Sequence, residues 1–165
     1  MSLKFLVIGL GSMGKRRIRC LKSLGYTDII GFDMRKDRCE ETSARYGIKT
    51  SDNWDSVKNK HLNVWIISTP PNFHMKYAFE AASLKNNFFM EANVSSAGME
   101  DLIDIIKSQK IVGVPSCTMR YFDGVKKIKQ MIINGDIGTP LYFNYHWGQY
   151  LPTWHVYERY QDFYV

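Results

Sequence analysis

A run of four apolar residues, Phe5-Leu6-Val7-Ile8, leads directly into the glycine pattern Gly9-x-Gly11-x-x-Gly14. This order predicts a buried strand, a phosphate-binding loop and the start of a helix. In such a loop Gly9 permits the tight turn, Gly11 lets a pyrophosphate approach the backbone, and Gly14 lets the helix pack closely on the strand. We therefore expect a dinucleotide to bind at this loop.

Ser12 and Met13 complete the loop, and three cations, Lys15, Arg16 and Arg17, follow it. Cations near a helix N-terminus oppose the positive end of the helix dipole, which favours anions instead. We interpret this misfit as a sign that an anion binds to the loop.

A second apolar run, residues 28–33, predicts a strand that ends in a carboxylate, and Asp33 lies 19 residues after Gly14. A carboxylate at about this spacing binds the adenosine ribose hydroxyls and repels a 2′-phosphate, so NAD is expected over NADP. NADP stays open as an alternative, because the side chain of Arg35 or Lys36 could turn inward and bind the 2′-phosphate. Arg35 is also a candidate contact to NAD itself.

Composition narrows the class of protein without deciding it. The net charge of +6 comes from 22 basic and 16 acidic residues, but no basic stripe alternates with stacking aromatics, so a nucleic-acid partner is not expected. The three cysteines are widely spaced and predict neither a disulfide framework nor a metal site, which fits a cytoplasmic protein. No apolar run is long enough to cross a membrane, and none has the features of a signal peptide.

Strands and helices alternate along the first 115 residues, which predicts an α/β fold with a doubly wound parallel sheet, Rossmann-like in architecture. The first helix follows the glycine loop, and a later one is expected to begin after Asn72 as its N-cap. The further expected helices are 37–46, 73–84 and one around Leu102 to Ile106, and the further expected strands are 63–68, 88–91 and 111–115.

The pattern changes after Cys117. A helix is expected over residues 121–133 and a strand of a different kind over 140–147, and the last 25 residues hold 10 of the 23 aromatics. Aromatic side chains at this density need a surface to bury against. We therefore expect a dinucleotide-binding domain over 1–118, and in 119–165 a linker helix and the truncated start of a second α/β domain.

Several motifs together resemble the Gfo/Idh/MocA oxidoreductases. They are the glycine loop, Thr69-Pro70-Pro71-Asn72 with His74, Met90-Glu91, Met119-Arg120-Tyr121 and Gly135-Asp136-Ile137-Gly138. The resemblance implies NAD-dependent hydride transfer to a sugar, sugar nucleotide or polyol. It also implies a homo-oligomer formed through the C-terminal domain. The segment Gly148-Gln149-Tyr150-Leu151-Pro152-x-Trp154-His155 is similar to members that act in sugar or polysaccharide biosynthesis.

The resemblance and the carboxyl edge of the sheet give a set of expected cofactor contacts. Beyond the glycine loop, Asp33 and Arg35, they are Ser68, Thr69, Pro70, Asn72, His74, Glu91 and Arg120. Alternatives stay open for three parts of this set. The two prolines could be a plain rigid turn, His74 could be a core imidazole, and Arg120 could form a salt bridge between domains.

One departure bears on catalysis. Where the family usually reads Glu-Lys-Pro, this chain reads Glu91-Ala92-Asn93, and an alanine cannot hold or move a proton. The first candidate to replace the lysine is His155, followed by Tyr157 and Glu91, and a histidine beyond Val165 is a further alternative. His155 could instead be a substrate contact or a buried, hydrogen-bonded histidine. The alternative is a dinucleotide-binding module without dehydrogenase activity, and the 165-residue chain alone is expected to be inactive.

Overall fold

The computed structural model describes residues 3–58, 62–92, 96–148 and 150–154. The chain divides into two compact units, residues 1–116 and residues 117–165, which are taken separately below.

The first unit is built on one parallel sheet of six strands in the order β3-β2-β1-β4-β5-β6. The strands are β1 (Phe5–Ile8), β2 (Ile29–Phe32), β3 (Lys49–Ser51), β4 (Val64–Ile67), β5 (Asn87–Met90) and β6 (Gly113–Pro115). The strand order reverses at β1, which pairs with β2 on one side and β4 on the other. A reversal of this kind opens a crevice at the carboxyl ends of the strands, so the predicted Rossmann-like fold is confirmed.

Helices connect the strands and cover both faces of the sheet. They are α1 (Ser12–Ser23), α2 (Lys36–Tyr46), α3 (Asp55–Lys58), α4 (His74–Ser83) and α5 (Met99–Gln109). The predicted end of the second helix is confirmed, since Gly47 ends α2 with a left-handed φ of 61°.

The core lies on both sides of the sheet because β1 is apolar at every position. Leu6 and Ile8 pack in one cluster with Trp65 of β4, whereas Phe5 and Val7 pack in the other with Ile18 of α1. All four residues of β1 are buried, as expected for a central parallel strand. The glycine loop therefore follows a strand that is buried at every position.

Two details of the first unit differ from the sequence prediction. Asn72 is not a helix N-cap: a short 3₁₀ turn, Pro71–Phe73, takes it in, and Phe73 precedes α4. The turn forms because Pro71 has a fixed φ suited to a first helical position, and the Phe73 N–H then donates to the Pro70 carbonyl at 3.0 Å. The short elements β3 and α3 were not predicted, since three or four residues carry little periodicity.

The second unit contains a 3₁₀ turn (Thr118–Tyr121), α6 (Asp123–Asn134) and α7 (Leu151–Trp154). The predicted helix is confirmed with slightly shifted ends, and Gly135 ends it with φ 78°. The predicted strand over 140–147 is wrong: within the described residues this stretch belongs to no strand, and Leu141 is 94% exposed. A strand needs a neighbour to pair its N–H and C=O groups, and residues that favour strands do not supply one by themselves.

Within the part of the chain that the structure describes, no helix is both long and apolar enough to cross a membrane.

Candidate functional site at the carboxyl edge of the sheet

The glycine loop cannot accept side chains at its two ends. Gly9 has φ +87°, and a Cβ there would lie 2.7 Å from the Ser68 carbonyl oxygen. A Cβ on Gly14 would lie 1.8 Å from the Gly9 carbonyl oxygen, so α1 packs directly on the end of β1. The turn and packing roles predicted for these two glycines agree with this geometry.

The middle glycine, in contrast, has room for a Cβ atom. Around a Cβ placed on Gly11, the nearest atom is the Arg38 Nη1, at 3.6 Å. Gly11 is also the N-cap of α1 and offers no side chain to the first N–H groups of the helix. Those groups have no partner within the helix and attract anions. The loop thus fits a pyrophosphate, which would approach over Gly11 next to Ser12 and Met13, both exposed.

Two of the three cations that follow the loop are paired with carboxylates of the chain itself. Lys15 forms an ion pair with Glu41 of α2, and this hydrogen bond lowers the pKa of Glu41. Arg17 pairs with Glu91 at the end of β5. The predicted misfit between these cations and the helix dipole therefore has an internal explanation, and the case for a bound anion depends on the uncapped N–H groups.

Asp33 lies just after β2 and is only 8% exposed. Its Oδ2 accepts a hydrogen bond from the Leu10 N–H at 2.8 Å, and its Oδ1 accepts one from the Arg35 N–H at 2.9 Å. Backbone donors on both oxygens fix the carboxylate beside the glycine loop. This is the position that the spacing in the sequence predicts.

The cation beside Asp33 is one that the sequence analysis did not single out. Arg38 Nη1 lies 3.7 Å from Asp33 Oδ2, on the side of the loop where Gly11 is open. Arg35 instead forms two hydrogen bonds with Asp37, at 3.1 and 2.5 Å, and these lower the pKa of Asp37. Lys36 Nζ lies 3.9 Å from Glu40 Oε1, one turn further along α2. A helical spacing argument could have found Arg38, because it stands in the first turn of α2.

The end of β4 presents two hydroxyl groups. The Ser68 N–H donates to the Ile8 carbonyl at 2.8 Å, which holds this strand end against β1. Ser68 Oγ and Thr69 Oγ1 are buried and have no hydrogen-bond partner among the described residues. Buried hydroxyls without a partner are uncommon, so they mark a place where a polar ligand group fits.

His74 stabilises the same strand end through a hydrogen bond to the backbone of Thr69. Its side chain is almost fully buried, and Nε2 lies 2.7 Å from the Thr69 carbonyl oxygen, an acceptor that requires the imidazole to donate. Pro70 and Asn72 are exposed at the turn. The geometry thus gives His74 a clear structural role in fixing Thr69, and its contact with a cofactor stays a prediction.

Glu91 follows β5 and is held by Arg17, at 2.5 Å from Nε to Oε1 and 2.9 Å from Nη2 to Oε2. Ala92, next in the chain, is exposed. Arg120 lies in the 3₁₀ turn of the second unit and is exposed there. Asn93, His155 and Tyr157 are outside the described residues.

Among the described residues, no three or more histidine, cysteine, aspartate or glutamate side chains are grouped so that they could hold a metal ion.

Comparison with known proteins agrees with this geometry. The family model for the Gfo/Idh/MocA group, "Oxidoreductase family, NAD-binding Rossmann fold", matches residues 3–115, and the chain belongs to this family. The inositol 2-dehydrogenase of Klebsiella pneumoniae is 28% identical over 149 residues, which are 86% of this chain and 44% of that protein. The chain spans about two-fifths of the length of the curated relatives that it matches.

Solved structures show the same fold. Myo-inositol 2-dehydrogenase from Lactobacillus plantarum superimposes with a TM-score of 0.76 at 24% identity, covering 84% of this chain and 43% of that one. The WlbA dehydrogenase from Bordetella pertussis, solved with NADH and UDP-GlcNAcA, gives 0.75 at 14% identity, covering 81% and 42%. At these identities the likeness concerns the fold alone.

Proposed function

We propose that the chain binds NAD(H) along the carboxyl edge of its sheet. We further propose that the full-length protein is an NAD-dependent oxidoreductase acting on a sugar, sugar nucleotide or polyol. The observation that carries the proposal is the side-chain-free Gly11 at the uncapped N-terminus of α1, where a Cβ would meet Arg38 Nη1 at an ordinary contact distance, beside a buried and fixed Asp33. This combination supplies both an anion site and acceptors for ribose hydroxyls.

Each part of the edge has a separate task in this proposal. The N–H groups around Ser12 and Met13 would hold the pyrophosphate, and Asp33 would accept hydrogen bonds from the adenosine ribose. Ser68 and Thr69 would offer their buried hydroxyls near the middle of the cofactor. The nicotinamide, when bound, supplies the hydride chemistry, and the chain binds and orients it.

Two features set the preference between NAD and NADP. Asp33 disfavours a 2′-phosphate, whereas Arg38, 3.7 Å away, partly offsets that negative charge. Because the Asp33 carboxylate is the more buried and is held by two backbone donors, NAD is the expected cofactor. Arg38 makes the discrimination weaker than a lone aspartate would.

Oxidation of a substrate hydroxyl also requires a proton acceptor. Ala92 cannot serve, so we assign the role to His155, whose imidazole can titrate near neutrality. The similarity to an inositol 2-dehydrogenase and to a dehydrogenase solved with UDP-GlcNAcA supports a carbohydrate-type substrate. We also infer that the oligomer interface, like the substrate site, depends on residues of a second domain.

A second candidate function has one observation in its favour. The exposed Ala92, where the family usually has lysine, fits a dinucleotide-binding module that senses the cofactor without oxidising a substrate. Free cysteines at three positions fit a reducing, cytoplasmic compartment under either function.

Calorimetric titration with NADH and NADPH tests the binding proposal. We expect NADH to bind more tightly, and Arg38→Gln to widen the gap by about threefold to tenfold through loss of a cation beside the 2′ position. Arg45→Gln, on the exposed face of the same helix, is the matched control and should leave both affinities unchanged. Tighter binding of NADPH by the wild type would contradict the role of Asp33.

Turnover tests separate the two functions. Nicotinamide absorbance should change when the full-length protein is mixed with NAD and a panel of sugars, polyols and sugar nucleotides. Cofactor binding without turnover on the whole panel would favour the sensing module.

A further inference from the structure

Arg17 and Glu91 form a bidentate ion pair between α1 and the end of β5. Nε donates to Oε1 at 2.5 Å and Nη2 donates to Oε2 at 2.9 Å, so both carboxylate oxygens accept from one guanidinium. Bidentate pairs of this kind fix orientation as well as distance.

Other contacts hold both partners in place. The Arg17 guanidinium lies 4.7 Å from the centre of the Phe89 ring, a favourable cation–π distance. The Glu91 N–H donates to the Ile67 carbonyl at 3.0 Å, which fixes its backbone to the end of β4. The pair is also shielded: Arg17 is 21% and Glu91 12% exposed, against 74% and 80% for the surface pair Lys107 and Asp104.

The two residues belong to different parts of the proposed site. Arg17 stands one turn beyond Gly14, on the helix whose N-terminus would hold the pyrophosphate. Glu91 stands at the carboxyl end of β5, two strands away from β1 in the sheet. A rigid connection between them would fix the phosphate end of the site relative to the β5 end.

We propose that Arg17 and Glu91 are a positioning pair that aligns α1 with the end of β5, and that Glu91 does not accept the substrate proton. The inference rests on the proposed function, since alignment matters only if a dinucleotide lies along this edge. Both oxygens of Glu91 accept from the Arg17 guanidinium, and taking up a proton would remove the negative charge on which this bidentate pair depends. We therefore assign the substrate proton to another group.

The first test is a double-mutant cycle on NADH affinity, measured by calorimetry on the full-length protein. Arg17→Gln and Glu91→Gln should each weaken binding by about tenfold, as expected when one of two coupled residues is lost. The double variant should bind no more weakly than the worse single variant. Lys107→Gln combined with Asp104→Asn is the matched control pair and should leave the affinity unchanged.

The second test separates positioning from proton transfer. If the full-length protein turns over a carbohydrate substrate, Glu91→Gln should lower kcat without changing the pH dependence of kcat, and Arg17→Lys should recover part of the loss in NADH affinity. Disappearance of the ascending limb of the pH profile in Glu91→Gln would make Glu91 the base and overturn the inference. Additive or negligible losses of affinity would also overturn it.

These outcomes are distinct from failure of the proposed function. A wild-type protein that binds no NADH would refute the function and this inference together. A wild type that binds NADH while the cycle shows no coupling would refute the positioning pair alone.

Discussion

Two carboxylates follow strands at the same edge of the sheet, and the chain holds them in opposite ways. Asp33, after β2, accepts hydrogen bonds from the backbone N–H groups of Leu10 and Arg35. Glu91, after β5, accepts both of its side-chain contacts from Arg17. We call the surroundings of these two carboxylates the Asp33 corner and the Glu91 corner. The Asp33 corner is held by backbone donors, whereas the Glu91 corner depends on the side chain of Arg17.

The difference bears on how each corner responds to change. Backbone donors persist through most substitutions, so the position of Asp33 follows from the loop as long as the loop folds. The Glu91 carboxylate, in contrast, loses both of its hydrogen bonds with a single substitution at residue 17, although its backbone stays bonded to Ile67. Substitutions can disrupt the two corners separately, and a substitution of Gly14 disrupts both together.

Replacing Gly14 should have the largest effect, because α1 carries Arg17 and begins at the loop that holds Asp33. Gly14→Ala places a Cβ 1.8 Å from the Gly9 carbonyl oxygen, which forces backbone to move. We expect the free energy of unfolding in urea to fall by at least about 3 kcal/mol. Gly124→Ala, in α6 with no atom near its Cβ, is the control and should be neutral or stabilising. A loss below about 1 kcal/mol would mean that the loop packs differently.

Asp33→Ala breaks the backbone-held corner. It leaves two N–H donors without their acceptor, and we expect a loss of about 2 kcal/mol in stability, the usual range for buried groups left unpaired. NADH affinity should fall along with stability, because the ribose hydroxyls lose their acceptor. Asp37→Ala is the matched control in both measurements, because it removes an exposed carboxylate from the first turn of α2, four residues after Asp33. Equal effects of the two variants would refute the special place of Asp33.

Gly11→Val tests the space between the corners. The branched side chain would fill the room over the loop, where Arg38 Nη1 is the one atom of the described residues found within 4 Å of a Cβ on Gly11, apart from the local backbone. We expect NADH affinity to fall by at least about tenfold, or about 1.4 kcal/mol, while thermal unfolding stays near that of the wild type. Unchanged affinity would place the pyrophosphate elsewhere.

Ala92→Lys adds the usual family lysine next to the Glu91 corner. Because Ala92 is exposed, we expect NADH affinity to stay within about twofold of the wild type, a difference under about 0.5 kcal/mol. In the sensing module the change would create some turnover, whereas in an enzyme that uses His155 it would lower the existing turnover. Wild-type turnover that survives His155→Ala undiminished would eliminate His155 as the base.

The smallest effect concerns alkaline pH at the Asp33 corner. Burial raises the pKa of the Cys39 thiol, which donates to the Asp33 carbonyl at 3.3 Å. A folded pKa above the unfolded value means that stability is constant below the unfolded pKa, about 8.5, and falls as the pH rises through the folded pKa. The free energy of unfolding should thus fall less steeply above about pH 8.5 in Cys39→Ala than in the wild type. Parallel slopes would contradict the prediction.

The contrast between the two corners also explains what the sequence could predict. Asp33 was located from spacing alone, because a strand, a tight loop and a helix of fixed geometry connect it to the glycines. Arg38 was not singled out, although its place in the first turn of α2 could have indicated it. The partner of Glu91 could not be found in this way, since it depends on which side chain α1 brings to the end of β5. A linear pattern carries no information about a contact between residues 17 and 91.

The other mistakes have equally local causes. Asn72 has the right chemistry for an N-cap, but the proline beside it started a 3₁₀ turn one residue earlier. Residues 140–147 are rich in aromatic residues, which favour strands, yet this composition does not provide a neighbouring strand to pair with. The functional residues outside the described ranges stay predictions.

The strand order has a consequence for how the chain is made. The central strand β1 is synthesised before the other five strands of its sheet, but its partner β4 begins only at Val64, so one edge of β1 waits for nearly sixty further residues. At translation rates of about 5–20 residues per second, that wait lasts roughly 3–12 seconds. During this interval four consecutive apolar residues are present in the nascent chain without their sheet neighbour. The part of the molecule that is most protected after folding is thus among the most exposed to the ribosome and its chaperones before it.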